Sequence, residues 1–163
     1  MNLMLLRHGK SDWDAGTPDD FSRPLAPRGV RSAERMGEVL RDLELVPDLV
    51  ISSTATRARS TAELARITGG WDSRLVLEDR LYGASVVDTL SVAEDLGADH
   101  DRVMLVGHEP TWSLTVHHIT GARVAMRTAT CVDMELDTVR WTNLMATGGA
   151  LVTLLQPRHF LRS

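Results

Sequence analysis

The chain has 163 residues, 43% of them hydrophobic, enough for one well-buried core and short for two, so it reads as a single domain over 1–163. A formal net charge of −4 leaves no basic excess to neutralise a nucleic-acid backbone or an anionic membrane, so any anion site must be local. The single cysteine, Cys131, excludes an internal disulfide framework, and the opening MNLMLLRHG has neither a basic leader nor a span-length apolar run, so a cytoplasmic protein is expected.

Leu3 to Leu6 reads as a short buried strand that ends on Arg7, His8 and Gly9. From Asp12 to Pro27 the Gly, Pro and Asp content predicts a loop lying over that strand end, with Trp13 and Phe21 expected to anchor it to the core. Val30, Ala33, Met36, Gly37, Leu40 and Leu43 recur at helical steps, as do Ala58, Ala62 and Ala65, and again Val86, Leu90 and Ala93. Between these helices lie DLVISS (Asp48 to Ser53), RLVLE (Arg74 to Glu78) and RVMLVG (Arg102 to Gly107). These apolar runs lack polar alternation, as expected of strands covered on both faces. Cys131 to Leu136 and Ala150 to Leu155 read as an antiparallel pair near a sheet edge. No internal repeat, low-complexity tract or long linker interrupts the pattern. The alternation predicts an α/β three-layer sandwich: a mostly parallel central sheet, helices on both faces and an antiparallel edge.

Ligands of open parallel sheets bind at the carboxyl ends of the strands. Arg7, His8 and Gly9 end the first strand, Ser52 and Ser53 end the second and lead to Arg57, and Gly107, His108, Glu109 and Pro110 follow the fourth. A lone histidine at a strand end is usually structural, and a lone arginine on a helix is usually solvated. Both histidines and both arginines are expected to meet at one rim, where a phosphate would fit. Proline near the start of the following helix leaves backbone N–H groups and the helix dipole to favour an anion. The arginines would repel a divalent cation, so no metal is expected. They would also lower the pKa of His8, leaving a ring nitrogen free to attack phosphorus.

Leu6-Arg7-His8-Gly9, Ser53-Thr54-Ala55-Thr56-Arg57-Ala58 with Thr61-Ala62, and Gly107-His108-Glu109-Pro110 resemble the three signature segments of the histidine phosphatase superfamily, in the family's order. The small size, Arg23-Pro24-Leu25 before Arg28-Gly29, and the closing Leu155-Gln156-Pro157-Arg158 resemble its compact SixA-like branch of phosphohistidine phosphatases. The resemblance covers nearly the whole chain and implies a phosphoglycerate mutase-like fold. It further implies that His8 is the nucleophile, that Arg7, Arg57 and His108 bind the phosphoryl oxygens, and that no cofactor is needed. Gly9 would allow close approach and orient the His8 ring through its backbone.

The acidic residue that larger mutase-like members carry in a glycine-rich segment after the third strand has no clear counterpart in Glu78 to Ser85. Glu109 is the first candidate for general acid, with helix capping as its equal alternative, and Glu78, Asp79 and Asp14 follow. A weak acid favours phosphoramidates, because imidazole leaves more readily than an alkoxide. The short loop and the absence of long insertions predict an open, shallow site suited to a phosphoprotein. The expected partner is thus a phosphorylated protein or a small phosphorylated molecule, with no nucleic acid and no membrane; nothing sets an oligomeric state, and a monomer suffices. The competing readings are a small-molecule phosphomonoesterase or nucleotide-polyphosphate hydrolase of the same fold, a non-catalytic module binding phosphorylated partners, and a metal-binding structural protein. A mutase is disfavoured by the missing acid segment and the short chain.

Overall fold

The computed structural model describes residues 1–161; residues 162–163, the end of the span read as one domain, lie outside the described residues. Six strands form one mixed sheet in the order β3-β2-β4-β1-β5-β6. They are β1 (Asn2–Arg7), β2 (Leu49–Ser53), β3 (Arg74–Glu78), β4 (Arg102–Gly107), β5 (Cys131–Leu136) and β6 (Gly149–Leu155). β1 and β2 pair parallel to the central β4, and β3 pairs parallel to β2, whereas β5 and β6 complete the sheet as antiparallel neighbours. The connections between successive strands from β1 to β5 carry helices α1 (Pro27–Asp42), α2 (Thr56–Gly69), α3 (Val86–Leu96) and α4 (Thr111–Thr120). The architecture is the expected α/β arrangement of parallel centre, flanking helices and antiparallel edge.

Alternation along the central strands divides the core. Met4, Leu6, Val50, Met104 and Val106 pack with Met36 and Leu40 of α1 and Ala58, Ala62 and Ala65 of α2. Leu3, Leu5, Ile51, Val103 and Leu105 face the other way, toward Leu90 and Ala93 of α3 and Trp112 and Val116 of α4. Burying each large apolar side chain contributes roughly 1.5–3 kcal/mol, so both faces hold the sheet in place. Local signals start and stop the helices. Pro27 opens α1, where its missing N–H costs nothing, a reciprocal Ser85–Asp88 capping box opens α3, and Gly70, with φ of 63°, closes α2.

One strand departs from expectation. β3 is not covered on both faces but lies at the sheet edge, with Arg74 exposed and Leu77 40% exposed. An apolar run of five residues marks a strand but not its place in the sheet. The sheet puts the carboxyl ends of β1, β2 and β4 side by side.

Candidate active site

At this rim the backbone fixes His8 first. Its N–H donates to Gly107 O at 3.0 Å and its carbonyl accepts from Ala129 N at 3.0 Å, which ties the residue to the end of β4 and to the segment before β5. Its Nδ1 donates to Gly9 O at 2.7 Å, and a carbonyl can only accept, so the proton lies on Nδ1 and Nε2 is unprotonated. Arg57, second residue of α2, directs Nε at that Nε2 from 3.3 Å. Thr61 couples the two residues: its hydroxyl accepts from Gly9 N at 2.9 Å and donates to Arg57 O at 2.7 Å. Gly9 thus orients the His8 ring through its carbonyl. It also permits the close approach of α1, because a Cβ there would lie 2.7 Å from Gly29 O.

His108 stands beside His8, with ring centroids 5.3 Å apart, and its Nε2 shares a 2.8 Å hydrogen bond with Ser53 Oγ. Its buried Nδ1 has no partner among the described residues. Arg7 donates from NH1 to Met126 O at 2.9 Å, and its charge is felt by both His8 and Arg57. The structure therefore brings His8, Arg57 and His108 together, with Arg7 acting on the same centre. Behind them, Gly107 leaves room for the fully buried Trp112, whose indole N–H donates to Leu6 O at 3.0 Å.

Burial, more than the arginines, holds His8 neutral. It pushes the imidazole down to about 3, with Gly9 O opposing and His108, Arg57 and Arg7 adding smaller repulsions. Burial likewise lowers His108 to about 4, helped by Arg57 and Arg7 and opposed by Asp20. Among the described residues no group of three or more His, Cys, Asp or Glu side chains is placed to hold a metal.

The candidate acids are engaged elsewhere. Glu109 accepts from Ser113 N at 2.8 Å and from Ser113 Oγ at 2.6 Å, satisfying an orphan donor in the first turn of α4, while its charge also acts on Arg7. Glu78 is paired with Arg80, Asp79 accepts from Thr54 Oγ1, and Asp14 is exposed on the loop.

A carboxylate not singled out in the sequence takes the central place. Asp20 accepts from Arg57 NH2 at 2.9 Å, Arg23 NH2 at 2.7 Å and the Tyr82 hydroxyl at 2.8 Å, and its carbonyl accepts from Arg57 NH1 at 2.7 Å. These donors, Arg23 foremost, hold its carboxyl well below the usual carboxylate range. The only hint in the sequence was that the loop bearing it should cover the first strand end. That loop makes the site less open than expected, leaving His8 7% and Arg57 6% exposed. Nor does its Trp13 anchor the core: it is 72% exposed, with the Arg23 guanidinium 3.6 Å from its ring centroid. Phe21 packs edge-on against Tyr82.

The chain is similar to known proteins in sequence and in fold. The Histidine phosphatase superfamily (branch 1) pattern matches residues 3–85. An uncharacterised Mycobacterium leprae protein is 33% identical over 168 residues, covering 94% of this chain and 100% of that one. An uncharacterised Mycobacterium tuberculosis protein is 42% identical over 108 residues, 66% of this chain and 65% of its own length. Among solved structures, a protein of Agrobacterium tumefaciens assigned as the phosphohistidine phosphatase SixA superposes with a TM-score of 0.81 at 28% identity, over 96% of this chain and 97% of that one.

Proposed function

The chain belongs to the histidine phosphatase superfamily, and from that membership we propose that it is a metal-independent phosphatase working through a phosphohistidine on His8, with phosphohistidine in a protein as its first substrate. The observation that carries this reading is the Nδ1 hydrogen bond to Gly9 O, which leaves Nε2 as the attacking atom beside the Arg57 guanidinium.

In the first step Nε2 forms a bond to phosphorus while the bond to the leaving group breaks, and the electron pair departs with the leaving group. Arg7, Arg57 and His108 bind the phosphoryl oxygens and offset their charge as it spreads in the transition state. Water then attacks phosphorus, the P–Nε2 bond breaks, its electron pair returns to the imidazole, and both water protons leave with the phosphate, as dihydrogen phosphate. Because guanidinium groups supply the positive charge, no metal takes part in this scheme.

Both Glu109 oxygens are occupied by Ser113 and Asp20 is held ionised, so neither is poised as a proton donor in this state. A leaving imidazole, with a conjugate-acid pKa of about 6.5, tolerates this far better than an alkoxide. The assignment of the Agrobacterium neighbour as a phosphohistidine phosphatase supports the same substrate class.

The test is rapid quenching with a 32P-labelled phosphohistidine protein, repeated after exhaustive chelation. An acid-labile label is expected on His8 at unchanged rate with chelator. His8→Ala should lose both label and about a thousandfold or more in kcat/KM with its circular dichroism unaltered. An alanine variant within about tenfold of the native rate would remove the nucleophile assignment.

A further inference from the structure

We propose that the cavity between the amino end of α1 and the carboxyl end of β6 is a second anion subsite. It takes a further phosphate of a small polyphosphorylated substrate whose terminal phosphoryl group lies at His8. The proposal rests on the reading of His8 as nucleophile and extends it to a class of substrate.

The cavity encloses about 460 Å³, within the range of small-ligand sites, and Arg7, Lys10, Arg28, Arg127 and Arg158 line it with only neutral residues between them. Five of the chain's 18 lysines and arginines thus face one hollow that, among the described residues, no carboxylate lines, in a protein of net charge −4. Among the described residues the ion pairs engage Arg23, Arg35, Arg41, Arg57, Arg59 and Arg80, and none of these five. Glu109 acts by its charge on Arg7, and its oxygens are taken by Ser113. Uncompensated cations drawn together in this way repel one another until an anion arrives.

Arg7 joins the two sites. It lines the cavity while its charge acts on His8 and Arg57, and its buried Nε–H has no partner among the described residues. The amino end of α1, which contributes Arg28, has no side-chain cap and no acid in its first turn, so its dipole adds to the same positive field. The cations come from separate segments: the end of β1 and the loop after it, α1, the stretch before β5 and the stretch after β6. Convergence of this kind encloses a compact polyanion, whereas an acidic peptide would be tracked by charges set along a groove.

The chemistry is that of an activated phosphoryl donor. His8 Nε2 would take the terminal phosphoryl group, the bridging P–O bond would break, and the shortened phosphate would leave with the electron pair. A phosphate leaving group, whose second pKa is about 6, departs without a strong acid, as an imidazole does.

The test compares tripolyphosphate with phosphoimidazole, which carries one phosphate, in the intact chain and in an Arg127→Ala/Arg158→Ala variant of these two exposed residues. The variant should raise the KM for tripolyphosphate by about tenfold or more and change kcat/KM for phosphoimidazole by less than about threefold. Equal losses on both substrates, or no loss on either, would overturn the subsite. So would a loss confined to an acidic phosphohistidine peptide, which would assign the cavity to a protein chain. Calorimetric titration of tripolyphosphate into His8→Ala separates the two readings. Arginine-dependent binding there, with no turnover of either substrate by the native chain, would keep the subsite and sink the nucleophile.

Discussion

Arg57 divides its donors between His8 and Asp20: Nε faces the His8 ring, while NH1 holds the Asp20 carbonyl and NH2 its carboxylate. Asp20 places its charge against the guanidinium that the proposed mechanism uses for phosphate, so the two anions compete for one cation. The competition is modest, because the Asp20 side chain is 49% exposed and solvent screens the pair. Asp20→Asn keeps an oxygen for Tyr82 and removes the opposing charge. The inhibition constant of orthophosphate, measured as competitive inhibition, should therefore fall by about threefold or more. Unchanged or weaker inhibition would mean that Asp20 orders Arg57 instead of opposing its ligand. The sequence exposed His8, Arg57 and His108 because each follows a strand whose apolar run is visible. Asp20 sits in a loop without periodicity, and nothing in its neighbourhood foretold three donors converging on it.

At the level of elements, the site depends on how closely α1 can approach the loop after β1. Gly29 lies in the first turn of α1, and a Cβ there would meet Lys10 O at 2.1 Å and Lys10 N at 2.8 Å, both backbone atoms that cannot turn aside. Gly37, two turns on, makes an equally close contact with α2, where a Cβ would lie 2.0 Å from Ala65 O. Alanine at either position should destabilise the fold by about 1–3 kcal/mol, read from urea denaturation, since overpacking forces backbone to shift. Only Gly29→Ala pushes on the segment that carries Gly9 and His8. Assayed well below its Tm, it should lose about tenfold in kcat while Gly37→Ala keeps most of its rate. Equal activity of the two folded variants would show that the loop after β1 does not set the His8 ring. Neither contact was legible beforehand, although Gly37 fell on a helical stripe and Gly9 was expected to permit close approach. A period shows which face is buried but not which backbone lies against it. β3 failed for a related reason, since its apolar residues mark a strand equally well at an edge or in the centre.

For the whole molecule, acidic net charge and a basic hollow coexist because folding gathers cations that the chain disperses. Local recognition of an anion was foreseeable from Arg7 and Arg57, but Lys10, Arg28, Arg127 and Arg158 lie too far apart in sequence to suggest a cavity. Burial of the site also sets the stability of the whole protein against pH. His8 and His108 are depressed to about 3 and about 4, so they stay neutral in the fold while the unfolded chain takes up protons near pH 6.5. Between these limits the unfolded state binds more protons, and stability falls as pH falls, by up to about 1.4 kcal/mol per pH unit for each histidine. Asp20, also depressed, adds a loss at still lower pH, below its unfolded value, whereas buried Asp133 has a raised pKa and works the other way. On the alkaline side, burial raises the Cys131 thiol, so only the unfolded chain ionises there above about pH 8.5 and stability declines again. The urea midpoint should therefore be highest between about pH 7 and 8.5 and drop steadily from pH 6.5 toward 4. His108→Asn should flatten that acid limb whatever it does to activity, because it removes one of the two groups that must charge on unfolding. A midpoint constant between pH 7 and 5 in the native chain would mean that the histidines at the rim are solvated, and with that the buried, neutral Nε2 on which the proposed chemistry turns would be lost.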